Sequence, residues 1–222
     1  MIDIAQQTAR LLLEIEAVHI RPAEPFTLTS GYASPVYVDC RKVISFPRAR
    51  QAIIRSATEM LQNRIGFESI DAVAGGETAG IPYAAWLADS LNVPMLYVRK
   101  KPKGFGRNAQ IEGTFKEGAR VLLVEDLASD GGSKVNFVNA LRTAGATVTD
   151  CFVVFFYAAF PGGLKSLDEI GVKLHSLSTW KEVLDVAEQD GRLPGADIAE
   201  VRKFLADPVS WSLAHGGAGQ KA

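Results

Sequence analysis

Residues 121 to 133 read Val-Leu-Leu-Val-Glu-Asp-Leu-Ala-Ser-Asp-Gly-Gly-Ser, an apolar segment that ends in two adjacent carboxylates and runs into a glycine turn. The apolar part is typical of a buried strand in a parallel sheet, and the glycine turn is typical of the start of a helix. Open parallel sheets present their ligand groups just past the carboxyl ends of the strands. We therefore expect Glu125 and Asp126 to lie at a binding site on that edge.

The two halves of this stretch suit different chemical groups. Adjacent carboxylates accept hydrogen bonds from neighbouring hydroxyls, such as those of a ribose. The following residues open a helix, where free backbone N–H groups and the helix dipole favour a phosphate. An ordinary strand-to-helix turn without a ligand is the alternative. The candidates for the phosphate site are Ser129, Asp130, Gly131, Gly132 and Ser133.

Two commoner nucleotide-binding motifs are not indicated. The sequence contains no G-x-x-x-x-G-K-[ST], so a Walker A site is excluded. Residues 104–109 fit G-x-G-x-x-A, but they lie in a basic loop and do not open an apolar helix. A dinucleotide-binding turn is therefore not expected there.

Apolar periodicity alternates between helical and strand-like segments along the chain. This alternation predicts an α/β fold with an open, mostly parallel sheet flanked by helices. Residues 26–39 predict an antiparallel hairpin outside that sheet, as a small hood over the strand ends, and residues 216–222 predict a frayed tail. Buried strands are predicted at 71–75, 95–99, 120–125, 151–157 and about 172–177, with C-terminal helices near 179–189 and 196–206.

Length and composition favour one domain. The chain has 222 residues, 47% of them apolar and 22% charged, which is enough for one substantial core. We predict a single domain over residues 1–222. Its parts would be a hood formed by about 20–45 with C-terminal elements, a core over about 46–160 and a C-terminal helical extension over about 161–215.

Charge and cysteine content exclude several classes of partner. The formal net charge is −1 and the pI about 6.3, so no overall field would attract nucleic acid or an anionic membrane. No segment approaches the roughly 18 consecutive apolar residues of a membrane span. Cys40 and Cys151 are too few for a disulfide framework. We expect no nucleic-acid partner, no membrane partner and a cytoplasmic location.

The segment from about 99 to 119 predicts a basic lid. It has no apolar period and carries Lys100, Lys101, Lys103 and Arg107 among glycines. Loops of this length in compact domains are usually functional lids or disordered. Lysines that close over a site would neutralise an anionic leaving group and exclude water. A solvated basic loop without a task is the alternative.

Four further segments accompany residues 121–133 in a fixed order, and together they carry a family resemblance. They are Phe26 to Gly31 with Ser34 to Asp39, Gly75 to Pro82, Tyr97 to Lys103, and Gln110 to Gly113. In these segments the chain resembles the type I phosphoribosyltransferases, and among them the orotate phosphoribosyltransferases. The resemblance covers roughly residues 20 to 160.

The resemblance implies the type I phosphoribosyltransferase fold and a reaction of pyrimidine nucleotide synthesis. Orotate and phosphoribosyl diphosphate (PRPP) would give orotidine 5′-phosphate and pyrophosphate, with Mg2+ as cofactor and no dedicated protein metal site. The enzyme would be a homodimer in which the lid loop reaches the neighbouring subunit.

The same resemblance assigns roles to individual residues. Glu125 and Asp126 would hold the ribose hydroxyls, residues 129–133 the 5′-phosphate, and the turn at 75–80 the pyrophosphate. Arg99, Lys101 and Lys103 would bind PRPP phosphates, and Lys100 and Lys103 would act across the dimer interface. The catalytic roles fall to Lys103, Lys100 and Asp126.

The chain departs from the family pattern at three places near the acceptor base. Phe105 stands where many relatives have a lid histidine, Thr29 where many have lysine, and no arginine follows the strand at 151–157. Arg41 is our candidate for the orotate carboxylate, because a guanidinium binds a carboxylate through two hydrogen bonds. Tyr37 would stack on the pyrimidine ring. A surface charge at Arg41 and a packing role for Tyr37 are the alternatives.

The departures leave two other functions open. One is phosphoribosyl transfer to a different nucleobase. The other is a regulatory protein that binds PRPP without turnover, although the lysine-rich lid disfavours it, because a sensor needs no clamp on a leaving group.

Overall fold

The computed structural model describes residues 3–104, 110–129, 132–160 and 162–219. The strands are β1 (Val18–Ile20), β2 (Phe26–Thr27), β3 (Ala33–Ser34), β4 (Val36–Val38), β5 (Ala72–Gly76), β6 (Met95–Val98), β7 (Ile111–Glu112), β8 (Val121–Ala128), β9 (Asp150–Phe156) and β10 (Lys173–Thr179). The helices are α1 (Ile4–Glu14), α2 (Pro47–Arg64), α3 (Gly80–Leu91), α4 (Gly132–Thr143), α5 (Lys165–Asp168), α6 (Trp180–Gln189), α7 (Gly195–Ala206) and α8 (Pro208–Ala214), with a 3-10 helix at Cys40–Ser45.

A six-stranded sheet forms the centre of the described fold, in the order β10-β9-β8-β5-β6-β7. The pairs from β10 to β6 are parallel, and β7 is antiparallel to β6 at one edge. The predicted α/β fold with a mostly parallel sheet is therefore confirmed. The predicted strands at 71–75, 95–99, 120–125, 151–157 and 172–177 are confirmed with small shifts in their ends, and so are the two C-terminal helices.

Strand β8 is buried on both faces, which explains its continuous apolar run. Successive side chains of a strand point to opposite faces of a sheet. Leu122 and Val124 accordingly belong to the core that includes α2, α3 and α6, whereas Val121 and Leu123 belong to the core beneath α4. Within the described residues, no helix is both long and apolar enough to cross a membrane.

The hood differs from its prediction. The antiparallel hairpin is confined to β2 and β3, because β4 pairs with β1, outside the predicted segment. The prediction of a frayed tail was wrong for residues 216–219, which pack on that hairpin. The backbone N–H of Ala218 donates to the carbonyl of Gly31 at 2.8 Å. Helix α8 and the short strand β7 were not predicted.

Candidate active site

Two cavities meet at the carboxyl ends of the parallel strands. One, of about 670 Å3, is bounded by the hood and is rich in aromatic side chains, and we call it the aromatic cavity. The other, of about 590 Å3, lies over β8 and the start of α4 and contains the charged groups, and we call it the polar cavity. Thr29, Leu127 and Ser129 line both cavities. The two cavities are therefore adjacent and share part of their walls.

The structure places both predicted carboxylates in the polar cavity, at the end of β8. Glu125 is buried, and Oε1 of its carboxyl has no hydrogen-bond partner among the described residues. Burial raises the pKa of Glu125 to about 7, partly opposed by the nearby Lys134 ammonium. Burial also raises the pKa of Asp126, opposed by the backbone N–H of Leu127. These are acceptors held away from bulk water, as a hydroxyl-binding site requires.

Glycine at position 76 makes room for Glu125. An ideal Cβ on Gly76 would overlap Oε1 of Glu125 and come within 2.7 Å of the Phe137 ring. Any other residue there would displace the carboxylate. Of the Gly-Gly pair at the end of β5, Gly76 thus leaves space for Glu125 of β8. Gly75 allows the close approach of α3.

Lys134 was not predicted and lines the polar cavity. It is 3% exposed, in the first turn of α4, with its Nζ 3.8 Å from Oε2 of Glu125. A lysine just after a Gly-Gly-Ser helix start was the only signal in the sequence, and it is indistinguishable there from a solvated lysine. Glu77, in the turn predicted to receive the pyrophosphate, also lines this cavity, and its carboxylate accepts a hydrogen bond at 2.7 Å from the backbone N–H of Lys100.

The predicted phosphate site is described in part. Ser129 lies just after β8, and Gly132 and Ser133 form the first turn of α4. Ser129 and Ser133 line the polar cavity. The positive end of the α4 dipole therefore lies at that side of the cavity, where it favours an anion. Asp130 and Gly131 lie outside the described residues.

The described part of the lid forms an antiparallel ribbon with the returning chain. The N–H of Arg99 donates to the carbonyl of Gln110 at 2.8 Å, and its guanidinium donates to Glu112 at 2.9 Å. Lys100 lines the polar cavity, whereas Lys101 and Lys103 are exposed and are not part of its wall. Phe105 and Arg107 lie outside the described residues. Of the three lid lysines, all of which are described, the structure thus brings one, Lys100, into the cavity of its own chain.

Charges in the polar cavity are nearly balanced. Its described lining contains three acidic residues, Glu77, Glu125 and Asp126, and three basic residues, Arg41, Lys100 and Lys134. A polyanion would gain little from a balanced site, because repulsion by the carboxylates offsets attraction by the cations. Positive charge supplied from outside this wall would strengthen the binding of such a ligand.

Hydroxyl and aromatic groups line the aromatic cavity. Tyr37 is 41% exposed on β4, between two buried valines, and its ring packs against Phe26 with centroids 5.7 Å apart. No Lys, Arg or His is among the described residues of this lining. Flat apolar walls with scattered hydroxyls suit a planar heterocycle. The hydroxyl-bearing residues are Thr27, Thr29, Ser30, Tyr32, Tyr37, Ser129 and Tyr157.

Arg41, the predicted carboxylate ligand, lies on the polar cavity. Its side chain is 69% exposed, and Nε is 3.9 Å from Oδ2 of Asp126. The preceding Asp39 accepts a hydrogen bond from the Arg41 N–H at 3.2 Å and so holds the start of the 3-10 helix. Arg41 is not among the described residues that line the aromatic cavity.

Comparison with known proteins identifies related sequences over nearly the whole chain. A model of the phosphoribosyl transferase domain matches residues 45–187. The chain is 55% identical over 209 residues to orotate phosphoribosyltransferase from Cereibacter sphaeroides strain KD131, covering 94% of this chain and 90% of that protein. It is 50% identical over 219 residues to the protein of the same name from Sinorhizobium medicae, covering 99% and 94%.

Solved structures agree with the sequence relatives. Orotate phosphoribosyltransferase from Aeropyrum pernix superposes with a TM-score of 0.69 at 32% identity, over 84% of this chain and 99% of that one. UMP synthase from Leishmania donovani superposes with a TM-score of 0.76 at 28% identity, over 90% of this chain and 42% of that one.

Proposed function

This chain belongs to the orotate phosphoribosyltransferase family, and we propose that it holds PRPP in the polar cavity and orotate in the aromatic cavity. The observation that carries the proposal is the contact between the two cavities at Thr29, Leu127 and Ser129. A ribose bound by Glu125 and Asp126 would lie at this junction. Its anomeric carbon would then face the ring nitrogen of a base stacked near Tyr37.

The chain's residues would act by positioning and by charge. Loss of pyrophosphate leaves positive charge on the ribose ring and negative charge on the leaving group. The Asp126 carboxylate, near the ring, would stabilise the first, and Lys100 and Lys103 would stabilise the second. Holding base and sugar in adjoining cavities converts a bimolecular step into an effectively unimolecular one.

Mg2+ fits the polar cavity as an ion held mainly by substrate. The described residues contain no group of three or more His, Cys, Asp or Glu side chains arranged for a metal. Magnesium sites of this kind use one or two carboxylates together with phosphate oxygens and water. Asp126 would be the protein ligand, and the ion would supply positive charge to the diphosphate when bound.

The lid would act across a homodimer interface. Lys101 and Lys103 are exposed and lie outside the wall of the polar cavity in their own chain, although that cavity lacks surplus positive charge. If these lysines entered the polar cavity of a second subunit, they would have a binding partner there, and that cavity would gain the positive charge that it lacks. The buried, unpaired cysteines Cys40 and Cys151 are compatible with the cytoplasmic location that we propose.

The activity is tested by following the ultraviolet absorbance of orotate with the purified protein, PRPP and Mg2+. We expect rapid loss of orotate absorbance that requires both PRPP and the metal ion. Uracil, adenine and hypoxanthine serve as competing acceptors. Turnover of one of these bases in preference to orotate would replace the acceptor in the proposal, and tight PRPP binding without any turnover would favour a regulatory protein.

A neutral nucleobase is the second candidate for the acceptor. The described lining of the aromatic cavity offers hydroxyl groups and no cation to a carboxylate. Neutral donors bind carboxylates less strongly than a guanidinium does. Competition between orotate and uracil therefore measures the preference for the orotate carboxylate that hydroxyl groups such as those of Thr29 and Ser129 provide.

Asp126→Asn is expected to weaken PRPP binding about tenfold, because a charged acceptor for a ribose hydroxyl is replaced by a neutral amide. Isothermal titration with PRPP and Mg2+ measures the change directly. Asp89→Asn, at an exposed position in the last turn of α3, is the matched control and should leave the affinity unchanged. Unaltered affinity in Asp126→Asn would remove the ribose assignment.

A further inference from the structure

The C-terminal segment is fastened to the hood at residues that flank the aromatic cavity. Ser212, fully buried in α8, accepts a hydrogen bond at 2.9 Å from the backbone N–H of Ala33 and donates one at 2.7 Å to the carbonyl of Ala218. The N–H of Ala218 in turn donates to the carbonyl of Gly31 at 2.8 Å. We call residues 211–219 the C-terminal strap.

These attachments lie on both sides of a residue that lines the cavity. Tyr32, between Gly31 and Ala33, is part of the aromatic cavity, and its carbonyl accepts the N–H of Leu28 at 2.8 Å across the turn. Five more lining residues, 26 to 30, belong to the same hairpin. A two-stranded hairpin has little stability of its own, so an external attachment decides its position.

The strap is also anchored to the body of the protein. The Trp211 ring packs edge-on against Phe204, with centroids 5.5 Å apart, and its indole N–H donates to Glu200 at 2.8 Å. Phe204 packs against Phe160, another residue of the aromatic cavity, with centroids 6.2 Å apart. The strap therefore connects the hairpin with the core through rigid, buried side chains.

Glycine at position 217 permits the close approach of strap and hairpin. An ideal Cβ on Gly217 would overlap the backbone nitrogen of Ala33 and Oγ of Ser212. The N–H of Gly217 donates to the carbonyl of Ser212 at 2.8 Å. A side chain at this position would push the strap away from the hydrogen bonds that fasten the hairpin.

We propose that the C-terminal strap positions the hairpin of the acceptor cavity, with Ser212 and Gly217 as positioning residues for the base. This inference rests on the proposed function, since it takes the aromatic cavity as the base site. Loss of the strap would leave the polar cavity in place. The variant protein should therefore lose affinity for the base and keep its affinity for PRPP.

The test compares Ser212→Ala with Ser210→Ala, an exposed serine of the same helix. We expect Ser212→Ala to raise the KM for orotate about tenfold, with kcat and the KM for PRPP changed less than about twofold. Ser210→Ala should change none of the three constants. Equal increases in both KM values would show a merely structural role and overturn the proposal.

A truncation and a second readout keep the test decisive if Ser212→Ala does not fold. Removal of the chain from Gly216 onward deletes the contacts of Gly217 and Ala218 and retains α8. Hydrogen exchange should accelerate in the hairpin peptide 26–34 and stay unchanged in β8. Unchanged exchange in the hairpin would overturn the proposal. Because exchange needs no substrate, it tests the strap even if the native protein fails to turn over orotate, which would count against the proposed function instead.

Discussion

Replacing Lys103 with alanine is expected to lower kcat about 100-fold while changing the dissociation constant of PRPP less than about threefold. Negative charge grows on the leaving pyrophosphate as the glycosidic bond breaks, so a cation over the leaving group is worth more in the transition state than in the bound substrate. Lys103 is exposed in the described structure and lies outside the polar cavity. Its contribution would therefore arise when the lid closes.

Single-turnover kinetics and equilibrium titration with PRPP separate the two effects. Lys116→Ala, at an exposed position in the segment after β7, is the matched control and should leave both constants unchanged. Equal losses in kcat and in affinity would count against a role in the transition state. A kcat unchanged from that of the native protein would remove Lys103 from the mechanism.

Mixed dimers test whether Lys103 acts across the interface. Lys103→Ala and Asp126→Asn impair different parts of the site, and each variant alone should have low activity. If the lid of one subunit serves the cavity of its partner, hybrids of the two variants contain one cavity with both residues intact. Activity should then recover when the variants are unfolded and refolded together, and should not recover if each lid serves its own subunit.

Residues that follow one another along the chain were the predictable part of the site. The strand, the carboxylates and the helix start between 121 and 133 form one local pattern, and the structure places Glu125, Asp126, Ser129 and Ser133 around one cavity. Lys134 was missed because its function depends on burial beneath Glu125. A lysine in the first turn of a helix gives no sign of burial, which results from packing between elements.

The hood was predictable only in outline, because its pairings join distant segments. Local alternation suggested a hairpin over 26–39, but β4 finds its partner in β1, which precedes that segment. The tail, whose residues are mostly small, was predicted to be frayed because chain ends usually are. Those small residues are what allow Gly217 and Ala218 to approach the hairpin closely. Composition alone does not distinguish a free tail from one that fits into a narrow space.

Replacing Lys134 with methionine is expected to destabilise the protein at pH 8.5 by about 1 to 2 kcal/mol more than at pH 6. The ammonium of Lys134 lies 3.8 Å from the buried Glu125 carboxyl, whose pKa is raised to about 7 by burial even with this cation present. Without the cation, the pKa of Glu125 should rise further. Methionine has a similar length, so packing changes little.

The sign of the effect follows from where Glu125 is protonated. A folded-state pKa above the unfolded value stabilises the protein fully below the unfolded pKa, and that stabilisation is lost as pH rises through the folded pKa. At pH 6 the folded carboxyl is mostly neutral in both proteins, so the charge of Lys134 contributes little. At pH 8.5 Glu125 is ionised in the folded native protein, and the Lys134 ammonium stabilises its charge. In the folded variant Glu125 must either ionise without a nearby cation or stay protonated, and both cost stability.

Urea unfolding at the two pH values measures the difference. Lys181→Met is the matched control, because the ion pair of Lys181 with Asp185 is exposed and should contribute little at either pH. The double variant Glu125→Gln with Lys134→Met removes the titrating group, and its stability should depend on pH less than that of either Lys134→Met or the native protein. An equal loss at both pH values in Lys134→Met would mean that Lys134 stabilises the site by packing. The cavity would then hold the ionised Glu125 carboxylate without a nearby cation. The role of Glu125 as a charged acceptor for ribose would no longer depend on Lys134.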